Sequence, residues 1–166
     1  MRELKRIGAL SVLVLVGTVL VATGRQPRPT FTPEQDARLQ IREVTDGLYV
    51  IPGFDGAQSG GNVAVRVTDE GVIIVDNKFP YSFDFITEQV RSVTNQPIKY
   101  VMNTHHHGDH AGSNADFMPA AEVIAHRNAR ENIVRNNQTG APPITFTNQT
   151  AVFLGDAEVQ AHHFGR

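Results

Sequence analysis

Val72-Ile73-Ile74-Val75 is apolar at every position and ends on Asp76. A strand with one wet face alternates apolar and polar side chains, so a run without alternation is a strand buried on both faces. Around this run the chain alternates element types. Residues 40–44 alternate in period two, Asp46-Gly47 is a hairpin signal, and residues 48–51 return as a second strand. Residues 53–61, with Gly56 and the Gly60-Gly61 pair, read as a flexible loop before a strand at 62–67. A turn at Asp69-Glu70-Gly71 leads into the buried run 72–76. Residues 82–94 then carry Phe83, Ile86, Val90 and Val93 at helical spacing, with Pro80 ahead and Pro97 behind. A strand at 99–103, a short helix at 111–117, a strand at 122–125 and a helix at 128–135 follow. Past a loop at 136–143, β structure resumes at 144–146, 151–154 and 158–164. Strand and helix in that order call for a layered α/β structure.

Thr104-His105-His106-His107-Gly108-Asp109-His110 sits at the junction of the 99–103 strand and the 111–117 helix, and it holds four of the seven histidines. On extended backbone alternate residues point the same way, so His105 and His107 share a face and can chelate one ion. Asp109 and His110 lie past the bend at Gly108 and can serve a second ion close by. Imidazoles plus a carboxylate suit zinc, with iron or manganese as substitutes. An expression tag is terminal, longer and uninterrupted, unlike this stretch.

Asn103-Thr104-His105-His106-His107-Gly108-Asp109-His110-Ala111-Gly112 resembles the signature of the metallo-β-lactamase superfamily, His-x-His-x-Asp-His at the end of a core strand. The Gly60-Gly61-Asn62 approach to the preceding strand resembles the family too. The resemblance covers residues 40–166 and implies the N-terminal half of an αββα sandwich, a mixed β-sheet with helices packed on one face. It implies that His105 and His107 bind a first metal, that Asp109 and His110 bind a second, and that His106 is a variable position without a metal. Two zinc ions per complete domain follow. Asp76 is either a strand-end turn residue or, as in the family, an aspartate beneath the metal loop that hydrogen-bonds it without binding metal. His126 occupies a place that is structural in such proteins, at a helix start. The activity implied is hydrolysis of an ester, thioester, lactone or amide (β-lactam-like) bond by metal-activated water, with Asp109 orienting the water as well as binding metal.

The C-terminus departs from that pattern. In the family, a strand such as His162-His163-Phe164-Gly165-Arg166 runs into a loop carrying a third histidine of the first metal, and a bridging aspartate and a further histidine come later. The sequence stops at Arg166, so the domain reads as incomplete, a C-terminally truncated fragment whose own activity is in doubt. His162 and His163 point opposite ways on a strand and read as preceding the third ligand. The sheet that should pack on the first is then expected to be missing, leaving apolar surface exposed. Two further readings are an iron redox member of the same fold, and a non-catalytic envelope protein or inert fragment that retains the motif. The redox reading is weakened by His107, since some such members carry a carboxylate there.

The N-terminus bears on location. Arg2, Lys5 and Arg6 precede an apolar run at 7–22, and Ala22-Thr23-Gly24 offers small residues for cleavage. Residues 1–24 therefore read as a secretory signal peptide, or an uncleaved anchor, which implies a secreted or periplasmic protein of the bacterial envelope. The run is a little shorter than the ~20 residues of a membrane span, which favours cleavage. Residues 25–38 are polar and carry Pro27, Pro29 and Pro33, so they read as a linker. Residues 39–166 are then the folded domain. The net charge of −2 is evenly mixed, which speaks against a nucleic-acid partner. The expected partner is a small-molecule substrate, with a membrane contacted only through an uncleaved N-terminal segment. With no cysteine, neither disulfides nor thiolate ligands are possible in this sequence.

Overall fold

The computed structural model describes residues 26–55 and 57–165, so the expected signal peptide at 1–24 lies outside the described residues. Its main sheet runs in strict chain order, β1 (Arg42–Thr45), β2 (Leu48–Ile51), β3 (Val63–Val67), β4 (Val72–Val75), β5 (Ile98–Asn103), β6 (Glu122–His126) and β7 (Ile144–Phe146). The first four strands pair antiparallel and the last four parallel, with β4 belonging to both halves. In register, Val65 faces Ile74, Val75 faces Met102, and Asn103 faces Ala125. The helices are α1 (Pro33–Arg38), α2 (Phe83–Arg91), α3 (Gly108–Ala111), α4 (Asn114–Phe117) and α5 (Arg127–Arg135). The crossovers from β4 through β7 each advance one strand in the same direction. Right-handed crossovers of that kind place their helices on one face of the sheet. A separate antiparallel hairpin, β8 (Gln149–Leu154) with β9 (Ala157–His162), completes the structure.

The unalternating run at β4 serves two cores. Val72 and Ile74 join Val63, Val65, Val101 and Val123 under the helical residues Ile86, Val90 and Phe117. Ile73, between them, points to the opposite face and packs with Met102 and Ile124 against Val152 and Leu154 of the hairpin. Successive side chains on a strand face opposite ways, so a strand with a layer on each side has no position left for a polar residue. The expectation of a bare apolar face is corrected here: β8 and β9 lie over it. The layers are therefore helices, seven-stranded sheet and a first hairpin of a second layer.

Several boundaries differ from those the sequence suggests. The described part of the expected linker, residues 26–38, contains a helix. Thr32 caps α1 in a capping box, its hydroxyl accepting from the Gln35 N–H at 3.2 Å while Gln35 Oε1 accepts from the Thr32 N–H at 2.9 Å. Pro33 sits at the first helical position, where its missing N–H costs nothing. Phe31 and Leu39 on either side are buried in the helical core, and the Arg28 guanidinium lies 4.0 Å from the Phe85 ring centroid. The helix expected at 82–94 is a 3-10 turn at Pro80–Ser82 followed by α2, which ends at Arg91. The helix expected at 111–117 begins earlier, inside the histidine motif, and breaks into α3 and α4 at Gly112-Ser113. β9 ends at His162, not at 164. Among the described residues no helix is long and apolar enough to cross a membrane.

Candidate metal centre

The parallel pairing of β4 with β5 brings Asp76 beside the start of the histidine loop. The Asp76 N–H donates to the Met102 carbonyl at 2.8 Å, the last ladder contact before both chains turn away. Asp76 and Lys78 both have left-handed backbone, at φ 65° and 56°. That conformation is uncommon for residues with a side chain and is tolerated best by Asp and Asn. Its effect here is to send three consecutive side chains into three different segments. Asp76 goes to the histidine loop, Asn77 to the α3–α4 break, and Lys78 to the loop at 52–61.

Asp76 is 4 % exposed and accepts three hydrogen bonds. Its Oδ1 accepts the Thr104 N–H at 2.8 Å, and its Oδ2 accepts the Thr104 hydroxyl at 2.7 Å and His110 Nδ1–H at 2.7 Å. A carboxylate offers only acceptors, so the Nδ1 contact is donated by the His110 ring, and the neutral form of that ring carries its lone pair on Nε2. The single hydroxyl hydrogen of Thr104 is committed to Asp76. The 3.0 Å contact of Thr104 Oγ1 with His105 Nδ1 is therefore donated by the imidazole. His105, like His110, is left with a bare Nε2. One carboxylate thus sets the tautomers of two histidines, directly and through a hydroxyl, in the arrangement that carboxylates impose on metal-binding imidazoles.

The four candidate donors gather on this base. The His105 ring centroid lies 4.1 Å from that of His110 and 4.8 Å from that of His107. His110 Nε2 is 3.3 Å from Asp109 Oδ2. Two donors on one zinc ion at ~2.1 Å and tetrahedral angles stand ~3.4 Å apart, so that pair has the spacing of two ligands on one ion. Among the described residues, however, no group of three His, Cys, Asp or Glu side chains is gathered tightly enough to enclose an ion. The donor chemistry and the fixed tautomers fit a metal, and the donors present form an open half-shell. Burial, then the neighbouring His110, holds His105 below the ordinary histidine pKa, and burial with His107 does the same for His106. The His105 shift favours the neutral imidazole that a metal needs.

The other histidines have separate employment. His106 turns to a cavity of about 290 Å³ lined also by Pro80, Ala111, Ile133, Gln138 and Thr139, so the 136–143 loop does border the motif. His126 caps α5, its Nδ1 accepting the Asn128 N–H at 3.1 Å, and its Nε2 lies 2.7 Å from the Thr147 carbonyl. His163 stacks on His126 at 3.8 Å, while His162 contacts Gln160 and Phe164.

Asn77, Lys78 and Thr104 are the supporting residues that the sequence did not single out. The Asn77 N–H donates to the His110 carbonyl at 2.7 Å, its Oδ1 accepts the Ser113 N–H at 2.9 Å, and its Nδ2 donates to Asn114 Oδ1 at 2.6 Å. The one signal available was Lys78 itself, a charged residue three positions past the end of the most buried strand.

A family model described as the metallo-beta-lactamase superfamily matches residues 57–159, a span that includes β4, Asp76 and the whole histidine loop. The 2,4-dinitroanisole O-demethylase subunit alpha of Nocardioides sp. (strain JS1661) is 31% identical over 127 residues, which are 75% of this chain and 35% of that one. Among solved structures, a metallo-beta-lactamase from Pontibacter korlensis superposes with a TM-score of 0.64 at 17% identity, covering 74% of this chain and 59% of that one. A Cronobacter sakazakii metallo-beta-lactamase with a HARLDQ motif gives 0.60 at 18%, covering 75% and 54%. This chain thus spans about a third of that relative and little more than half of those structures. Its helix layer, mixed sheet and covering hairpin are the N-terminal half of the αββα sandwich. With the motif inside the matched span and the fold shared, the chain belongs to the metallo-β-lactamase superfamily.

Proposed function

We propose that this chain carries the N-terminal half-site of a zinc-dependent hydrolase, with His105 and His107 as donors to one ion and Asp109 and His110 as donors to a second. One observation supports this reading above the others. Asp76 fixes the Nδ1–H tautomer of His110 at 2.7 Å, and the free Nε2 then lies 3.3 Å from the Asp109 carboxylate. A histidine needed only for packing requires neither a buried carboxylate behind it nor a second donor in front.

Zinc held by these donors supplies a Lewis acid and brings the pKa of water down towards ~7. The residues do the remainder. Asp109 accepts a proton-bearing hydrogen bond from the attacking water and so aims its lone pair at a carbonyl carbon. His105 and His110, each held from behind at Nδ1, would present their Nε2 atoms to the ion. The cavity beside His106 is lined by no charged side chain, so it suits an uncharged acyl or aryl group next to the scissile bond. The substrate class is an ester, thioester, lactone or amide. The basic, apolar and small-residue order at 1–24 supports export to the bacterial envelope.

Elemental analysis of the purified chain tests the donor assignment. About two zinc ions per chain are expected, falling to about one in the His105→Ala, His107→Ala double variant. Iron or manganese in their place would revise the metal, and no bound metal in the wild type would refute the reading. Turnover is then screened on an aryl acetate, a thioester, a lactone and a β-lactam. An activated aryl ether joins the panel because of the demethylase relative. The open half-shell favours a second reading, a metal-binding half that does not turn over. Stoichiometric zinc with no hydrolysis of any of these substrates would select it.

A further inference from the structure

We propose that Lys78 is a positioning residue for the metal loop, its buried ammonium tying the 52–61 loop against Asp109 and His110. The consequence for metal rests on the hydrolase reading above; the geometry does not. Lys78 is 1 % exposed. Its Nζ donates to the carbonyls of Pro52 at 2.8 Å, Ser59 at 3.0 Å and Gly61 at 2.6 Å. Three acceptors for three ammonium hydrogens is a complete set. Pro52 lies at one end of the loop and Ser59 and Gly61 at the other, so the cation closes the loop at its base.

The closed end of the loop is what meets the metal loop. The Gly61 N–H donates to the Asp109 carbonyl at 3.0 Å. Gly61 approaches His110 so closely that a Cβ would run into the imidazole ring. Gly60, at φ 71°, lets the backbone pass between the Lys78 stem and the Asp109 carbonyl, where a Cβ would meet Lys78 Cβ at 3.0 Å and that oxygen at 3.1 Å. From its other end, the Lys78 carbonyl accepts the Gly112 N–H at 2.9 Å, just past α3. Both sides of the Asp109-His110 turn are therefore held from Lys78. Burying an ammonium is costly unless every hydrogen is accepted. An apolar side chain of the same length would fill the space without that cost, and it could not hold the loop by its carbonyls.

The test uses the full chain as Lys78→Met, with Val90→Ala as a control that loosens the same core away from the loop. In metal-free protein, K78M is expected to lose tenfold or more of the amide exchange protection at Gly61 relative to β5, while V90A leaves that ratio unchanged. Equal Gly61 protection in K78M and wild type overturns the clamp. Zinc titration is the second arm, with K78M expected to bind ~10- to 100-fold more weakly than V90A, the usual loss when a residue supporting a metal ligand is removed. Equal zinc affinity overturns the positioning role. Wild type that refuses zinc while exchange behaves as expected refutes the hydrolase reading and leaves the clamp supported. Should K78M fail to fold, Lys78→Arg keeps the charge. Its planar fork cannot serve three carbonyls converging on one point, so the same loss at Gly61 is expected, and unchanged protection overturns the proposal.

Discussion

Replacing Asp76 with asparagine keeps the side chain's size and its tolerance of left-handed backbone at φ 65°, and turns one acceptor into a donor. The Thr104 N–H is fixed by the backbone, so the amide oxygen must stay in the Oδ1 place and the NH2 takes the place of Oδ2. That NH2 then faces the Thr104 hydroxyl and His110 Nδ1, which both donated to Asp76. Each can adapt. The hydroxyl rotates to accept, and His110 moves its proton to Nε2 so that Nδ1 accepts. All three charge-assisted bonds become neutral ones, a loss of about 1–2 kcal/mol in stability. The site loses more than the fold. His110 Nε2 now bears hydrogen, and the freed Thr104 hydroxyl donates to His105 Nδ1, pushing that proton to Nε2 as well. Forcing His110 back to the metal-competent tautomer sets two buried donors face to face, which costs about 1–3 kcal/mol and weakens zinc by roughly 5- to 150-fold. Nitrogen NMR of the imidazoles in metal-free protein reads the tautomers, and a chelator competition reads the affinity. A D76N protein that keeps the His110 proton on Nδ1, or binds zinc within twofold of wild type, would refute the argument. Asp76→Ala separates the two effects: it orphans three donors and places Ala at positive φ, for a stability loss of about 4 kcal/mol by urea unfolding.

Burial, with Arg28 adding repulsion, pushes Lys78 down to about 8 from an ordinary value near 10.5. The unfolded chain therefore holds that proton more tightly. Stability should rise between pH 8 and pH 10.5 by up to about 3 kcal/mol, a rise that K78M lacks; parallel urea midpoints for the two proteins across that range would count against the shift. Gly61→Ala should weaken zinc at least tenfold, because its Cβ enters the His110 ring, whereas Gly108→Ala, whose Cβ meets nothing within 4 Å, should leave zinc binding and melting temperature close to wild type. Ile74→Ala should cost about 4 kcal/mol in urea unfolding, since the side chain is fully buried, while the exposed Val44→Ala at the sheet edge should stay within about 0.5 kcal/mol; comparable losses would mean that β4 is not the centre of the core.

What was legible in the sequence is what is local in the chain. Val72 to Val75 announce a two-faced strand because burial on both sides removes every polar position within four residues. The histidine motif announces itself because its donors lie within six residues of one another and a strand aims them. Short-range rules also carried information that the prolines obscured: Thr32-Pro33-Glu34-Gln35 is a capping box, yet Pro27, Pro29 and Pro33 made the segment look like a linker. The hairpin β8–β9 was legible as strands, but not as the cover on Ile73, Met102 and Ile124, because that pairing of layers is a long-range fact. The support beneath the site is long-range throughout. Lys78 finds its acceptors 17 to 26 residues earlier, and Asn77 finds Asn114 37 residues later. No glycine marks the left-handed backbone at Asp76 and Lys78 that makes those contacts possible. Side chains at 76, 77 and 78 on a regular strand would alternate between two faces. The two positive φ angles let them reach three loops, and the histidines owe their mutual distances to that tripeptide as much as to their own spacing.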